Sequence, residues 1–157
     1  METLARESLR IVHVDDDPDF VELSDRSLKR AGFKQPIAWC NDGALAIDYF
    51  SSVDEKIAPH VILLDLHMPR KNGLEVLHWV RHLYRFRNVA VYLLTSCSEP
   101  AIMRQAEAER VTKVLLKKPF FDELIESLDY LITVHNDPAL MEADRFRVDW
   151  LSTGEQD

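Results

Sequence analysis

The chain has 157 residues, of which 46% are hydrophobic and 29% charged, enough for one well-buried core and too few for two ordinary domains. Its 27 acidic against 19 basic residues give a formal charge of −8, which repels phosphate backbones and anionic membrane surfaces and argues against direct nucleic-acid binding. No apolar run approaches the roughly 20 residues that span a bilayer, the opening Met-Glu-Thr-Leu-Ala-Arg-Glu lacks a secretory pattern, and Cys40 and Cys97 make neither a metal pattern nor a disulfide framework, so a cytoplasmic protein is expected.

In chain order, the first apolar run, Leu9 to Val14, reads as a strand, and Pro18 then opens a helix with Phe20, Ser24, Leu28 and Ala31 on one stripe and Gly32 at its end. Asp17 before that proline reads as the N-cap rather than as part of a site. Pro36 to Cys40 is the second strand, and a helix runs from about Gly43 to Phe50. Val61 to Leu64 is the third strand, followed after Asn72-Gly73 by a helix through Leu74, Leu77, Val80 and Arg81. Val89 to Leu94 is the fourth, with Ser98 as the expected N-cap of the helix after it. Val114 to Leu116 is the fifth, and the last helix places Phe121, Leu124, Ile125, Leu128, Leu131 and Ile132 on one apolar face. Strands apolar on consecutive positions are buried on both faces, and strict alternation of strand and helix predicts a parallel α/β sheet covered by helices on both sides.

Residues 1–136 are expected to form one domain and residues 137–157 a C-terminal extension without an output domain, since Asn136-Asp137-Pro138 breaks the helical pattern. That extension reads as a frayed terminus or a short packed helix, or as an interaction arm with Phe146 and Trp150 four residues apart.

Ligands of open parallel sheets bind beyond the carboxyl ends of the strands, and here those ends are polar. Strand one ends Val14-Asp15-Asp16-Asp17, strand three Leu64-Asp65, strand four Leu94-Thr95-Ser96 and strand five Lys117-Lys118-Pro119. In the common order 2-1-3-4-5, Asp15, Asp16 and Asp65 meet in one pocket. Converging carboxylates repel, and a hard divalent cation with oxygen ligands, Mg²⁺, relieves the repulsion. An ionised Asp65 needs no base to attack phosphorus. Phosphoryl transfer then needs a fixed cation, assigned to Lys118, and a neutral donor, assigned to Thr95 with Ser96 beside it. Taken singly, Asp65 reads equally as a cap, Thr95 as a strand-end hydroxyl and Lys118 as a solvated charge; their joint occurrence at four strand ends favours a site. The histidines His13, His60, His78, His82 and His135 show no zinc-ligand spacing, and the side chain of His67 reads as a surface residue.

The motifs Val14-Asp15-Asp16-Asp17-Pro18, Leu63 to Gly73 around Asp65, Leu94-Thr95-Ser96 and Lys117-Lys118-Pro119-Phe120, in this order, resemble the response-regulator receiver domain of bacterial two-component signalling, over about Leu9 to His135. The resemblance implies a flavodoxin-like three-layer sandwich of five strands and five helices. It also implies phosphorylation of Asp65 by a histidine kinase and a Mg²⁺ site of Asp15, Asp16, Asp65 and the backbone carbonyl of His67. A cis peptide before Pro119 belongs to the same pattern. Asn41-Asp42-Gly43, Asp65 to Pro69 and Leu94 to Ser98 are most similar to single-domain regulators that partner phytochrome-type kinases. Leu115 stands where many members carry a switch aromatic, and Val111 where a glycine is common.

Without an output domain, such a switch acts by binding, either to a downstream protein, to a phosphotransfer histidine protein, or to a second copy of itself through the fourth helix with Ile102 and Met103. It is not expected to be a turnover enzyme beyond its own phosphorylation and dephosphorylation. The alternatives are a Mg²⁺-dependent phosphohydrolase using an aspartyl phosphate, which would usually carry a second acid where His67 stands, and a degenerate receiver that only docks.

Overall fold

Side chains on a strand alternate between faces, so strands that are apolar throughout must be covered on both sides. The computed structural model describes residues 3–96, 99–118 and 121–140. The strands are β1 (Ile11–Val14), β2 (Ala38–Cys40), β3 (Val61–Asp65), β4 (Ala90–Thr95) and β5 (Lys113–Leu116). Between and after them run α1 (Pro18–Arg30), α2 (Gly43–Ser52), α3 (Gly73–His82), α4 (Pro100–Ala108) and α5 (Phe121–Asn136). All strands are parallel, as the alternation of strand and helix predicts, in the order β2-β1-β3-β4-β5 that the resemblance implies.

The alternation sorts the core into two halves. On one face Val12, Val14, Ile62, Leu64, Val91, Leu93 and Val114 pack against α2, α3 and α4 through Phe50, Val76, Leu77, Val80, Met103 and Ala106. On the other, Ile11, Val61, Leu63, Tyr92, Leu94 and Leu115 meet α1 and α5 through Leu28, Leu124 and Leu128. Among the described residues, no helix is long and apolar enough to cross a membrane.

Several boundaries differ from the sequence reading for local reasons. β2 begins at Ala38 rather than Pro36, since proline brings no N–H to a ladder. α4 begins at Pro100 with Glu99 at its N-cap and no side-chain cap bond, while the expected cap Ser98 lies outside the described residues. Met103, expected on an exposed contact face, is only 4% exposed because the apolar stripe of α4 turns into the core, leaving Ile102 as the partly buried residue there. Short 3-10 turns at Glu55–Ile57 and Tyr84–Phe86 have no counterpart in the sequence pattern. Nor does the docking of the N-terminal segment, where Leu4 exchanges backbone bonds of 2.8 Å with the Asn136 amide. The arm anchors Phe146 and Trp150 fall outside the described residues.

Arg81 stands on the buried stripe of α3, where a guanidinium is costly unless its donors are used. Its Nε and Nη2 donate to the carbonyl of Arg110 at 3.1 and 2.9 Å, and Nη1 donates to that of Val89 at 2.7 Å. Burial, and then the nearby Arg110, pushes its pKa down to about 10, which still leaves it charged at neutral pH. The side chain therefore ties the end of α3 to the start of β4 and to the turn between α4 and β5. Arg81→Ala strands these carbonyls, at about 1 to 3 kcal/mol for each buried unsatisfied group, so a total loss of about 2 to 4 kcal/mol is expected in urea unfolding. A loss below about 1 kcal/mol would show that solvent satisfies these carbonyls without the side chain.

Candidate functional site

The alternation that builds the core also aims the residues just beyond the strands. Asp15 continues the register of Ile11, Asp65 that of Val61 and Leu63, and Lys117 that of Leu115, all toward the face covered by α1 and α5. Backbone bonds carry the ladders one step further: Asp15 N–H to the Cys40 carbonyl, Leu66 N–H to that of Leu94, and Lys117 N–H to that of Thr95. The directions of these side chains are thus set by the sheet, with Asp15 fully buried and Asp65 4% exposed.

Asp15, Asp16 and Asp65 come together, each offering a carboxylate oxygen within 4.8 Å of the others, with Asp16 exposed at the mouth. The amine in the pocket is that of Lys117, with Nζ 3.0 Å from Asp15 Oδ2 and 3.3 Å from Asp65 Oδ1. The sequence pattern points instead to Lys118, whose side chain is exposed. The period of two accounts for the difference, because Lys117 shares the parity of Leu115, which faces α1 and α5, while Lys118 shares that of Val114 on the opposite face of the sheet. Lys117 also sits over the Phe20 ring at 4.6 Å, a cation–π contact that helps hold the ammonium over the pocket.

Thr95 is fully buried at the end of β4, while Ser96 beyond it is exposed. The His67 side chain is exposed, and its backbone amide acts to lower the Asp65 pKa. Pro119 and the peptide before it lie outside the described residues. Asp17 caps α1 as its place before Pro18 predicts, accepting from the amides of Asp19 and Phe20.

Three neighbours were missed in the sequence. His13 is fully buried one position before the strand end, with Nε2 3.6 Å from Asp15 Oδ2. Trp39, in the middle of edge strand β2, donates its indole N–H to the backbone carbonyl of Asp15 at 2.8 Å and is 46% exposed. Gly73 opens α3 where the loop after β3 folds back, its N–H bonding the Leu66 carbonyl at 2.9 Å. A Cβ there would overlap the Asp65 carbonyl and come within 2.8 Å of Leu66 Cα, so only glycine permits this return. The period of two along β1 could have found His13, two residues before Asp15; Lys117, Trp39 and Gly73 depend on which face β5 presents and on chain segments brought together by the fold.

The electrostatics follow from three carboxylates and one ammonium. Burial, and then the Asp15 charge, raises the Asp65 pKa to about 6 despite Lys117 and the His67 amide. Burial also acts upward on Asp15, but the His13 ring, the Asp17 amide and Lys117 outweigh it and hold this carboxyl below the ordinary range. The Lys117 pKa is raised, because the attraction of Asp15 and Asp65 exceeds the cost of its burial. The pocket thus carries more negative charge than its amine neutralises, and Asp15 Oδ2 is buried without a hydrogen bond of good geometry. Hard oxygen donors with excess negative charge fit Mg²⁺.

The model of the response regulator receiver domain matches residues 11–129. The probable methanogenesis regulatory protein FilR2 of Methanothrix harundinacea is 30% identical over 127 residues, which cover 80% of this chain and 82% of that protein. The probable transcriptional regulatory protein NarL of Mycobacterium tuberculosis is 32% identical over 122 residues, 78% of this chain but only 54% of NarL. Among solved structures, the bacteriophytochrome response regulator RtBRR is 30% identical with a TM-score of 0.67, covering 87% of this chain and 89% of that one. The chemotaxis protein CheY4 of Vibrio cholerae is 25% identical with a TM-score of 0.67, covering 78% and 98%.

Proposed function

Because the chain belongs to the response-regulator receiver family and is a phosphorylation-activated signalling domain served by a histidine kinase, we propose that Asp65 is its phosphoacceptor. The observation that carries this reading is the clustering of Asp65 with Asp15 and Asp16 under the Lys117 ammonium. An Asp65 oxygen attacks the phosphorus of the kinase phosphohistidine. A P–O bond forms as the N–P bond breaks, the electron pair of that bond stays with the imidazole, and the product is an acyl phosphate on Asp65. With a pKa of about 6, Asp65 is mostly ionised at neutral pH and needs no general base. Lys117 and the buried Thr95 hydroxyl are the charged and neutral donors for the phosphoryl oxygens. Asp15, Asp16 and Asp65 would hold Mg²⁺, with the His67 carbonyl as the further ligand the family pattern implies; the ion supplies charge neutralisation and alignment when bound.

Similarity to RtBRR and to the bacteriophytochrome response regulator AtBRR, at 30% and 29% identity, supports a phytochrome-type kinase as the phosphoryl donor. Output passes to a downstream protein, to a phosphotransfer histidine protein or to a second copy of the chain. Hydrolytic turnover is disfavoured because the position two beyond Asp65 holds His67, whose side chain is exposed. The assembled pocket disfavours a role in docking alone.

The test is incorporation of labelled phosphate from acetyl phosphate with Mg²⁺. Wild type is expected to take up close to one acid-stable, hydroxylamine-labile equivalent, and Asp65→Asn less than about one-hundredth of that, as expected when the nucleophile itself is removed. Equal labelling of both proteins would place the acceptor elsewhere.

A further inference from the structure

A second group of metal-ligating side chains lies outside the acidic pocket. His78 and His82 stand four residues apart on the last turns of α3, where i and i+4 side chains share a face, and their rings are 4.2 Å apart between centroids. Glu109, the C-cap residue of α4, reaches the same place, with Oε1 2.5 Å from His78 Nδ1. One ligand atom from each of the three lies within 4.8 Å of the others. Helical spacing makes the histidine pair readable in retrospect; Glu109, 31 residues from His78, joins it only because α4 packs beside α3.

The hydrogen bonds favour coordination. His82 Nδ1 lies 2.7 Å from the His78 carbonyl, and since a carbonyl only accepts, this nitrogen carries the proton and Nε2 keeps the lone pair. Fixing one ring nitrogen on a backbone carbonyl so that the other faces a metal is the usual support of a ligating histidine. The His78 ring and Glu109 already face each other through a hydrogen bond whose proton a cation can replace. His78 and His82 are exposed, so an ion can reach them without opening the fold.

We infer that His78, His82 and Glu109 form a second metal site, for a borderline divalent transition-metal ion such as Zn²⁺, that bridges the C-terminal ends of α3 and α4. Two imidazoles and one carboxylate suit Zn²⁺, Ni²⁺ or Cu²⁺ and not the hard Mg²⁺ of the acidic pocket. Three protein ligands leave a tetrahedral ion one position for water or for a side chain from another molecule. The bridge fastens α4 to the body of the domain at the end remote from Thr95.

The test is calorimetric titration of the full, untagged chain with Zn²⁺ in saturating Mg²⁺. One equivalent is expected to bind, with His78→Ala and His82→Ala each weakening affinity by more than about tenfold, the loss that even outer-shell partners of a metal produce. Glu109→Gln is expected to weaken it by at least about threefold, while Asp65→Asn and Cys97→Ser leave it within about twofold. Zn²⁺ should also raise the midpoint of thermal unfolding of wild type and not that of His82→Ala, since an ion that binds the native state stabilises it. Absence of Zn²⁺ binding, binding indifferent to both histidine variants, or binding lost with Asp65→Asn or Cys97→Ser would each overturn the assignment.

Discussion

Replacing Lys117 with alanine is expected to weaken binding of beryllofluoride, a phosphoryl mimic, by about 10- to 100-fold in saturating Mg²⁺, the range set by about 1.5 to 3 kcal/mol for a hydrogen bond to a charged group. Lys118→Ala should leave that affinity within about twofold, as for an exposed charge outside the pocket. The contrast rests on Lys117 Nζ lying 3.0 and 3.3 Å from the two buried carboxylates while the Lys118 side chain is exposed. Trp39 supplies the readout, since its indole is bonded to the Asp15 carbonyl and is half exposed, so its emission should respond to events in the pocket. The Trp39→Phe variant should lose the signal and keep the binding. If Lys118→Ala lost affinity and Lys117→Ala did not, the register of the chain beyond β5 would have to be redrawn by one residue.

The second large effect concerns stability. Asp65 has a pKa of about 6 in the folded protein against an ordinary carboxylate value of 3.8. The folded state therefore holds this proton more tightly than the unfolded state, so the contribution of Asp65 to the stability of the Mg²⁺-free protein falls as pH rises from about 4 to about 6 and then levels off. His60, whose pKa burial lowers to about 4, acts in the opposite direction; comparison with a variant isolates the Asp65 part. Asp65→Asn keeps the shape without the charge. In Mg²⁺-free buffer it should exceed wild type by about 1 to 2 kcal/mol above pH 7 and converge with it near pH 4, a gain kept modest because solvent reaches the pocket mouth. Saturating Mg²⁺ should reverse the ranking, because an ion that binds only the native wild type adds to its stability. Urea unfolding at pH 4.5 and 7.5, with and without Mg²⁺, separates these outcomes. A variant no more stable than wild type at the higher pH would mean that Lys117 already neutralises Asp65. Above pH 7 the Asp65 carboxylate is thus held charged at a cost to folding, a common arrangement at functional sites.

The strands and the polar residues at their ends are legible because both rest on short-range patterns, whereas the strand order, and with it the meeting of the carboxylates, is expected only from the common arrangement of such sheets and from the family resemblance. Asp15, Asp16 and Asp65 meet because parallel strands finish at the same edge. The choice between adjacent lysines depends on which face β5 presents, and Leu115 and Val114, both apolar, do not reveal it without knowing what each packs against. Met103 was misjudged for the same reason, since the buried side of α4 is defined by Val91, Leu93 and Val114 beneath it rather than by its own sequence. Trp39 is a neighbour of the site through pairing of β1 with β2, a long-range event, whereas His13 shares the face of Asp15 two residues away.

The guanidinium of Arg81, spread over the carbonyls of Arg110 and Val89, has a mechanical consequence. A rod nailed at its far end can swing only at the near one. Any displacement of α4 that follows chemistry at Asp65 is then greatest around Pro100, close to the strand end where Thr95 sits, and fades along the helix toward Glu109. A partner that senses the signal would find it written on the first turn of this helix, while the last turn offers an unmoving foothold.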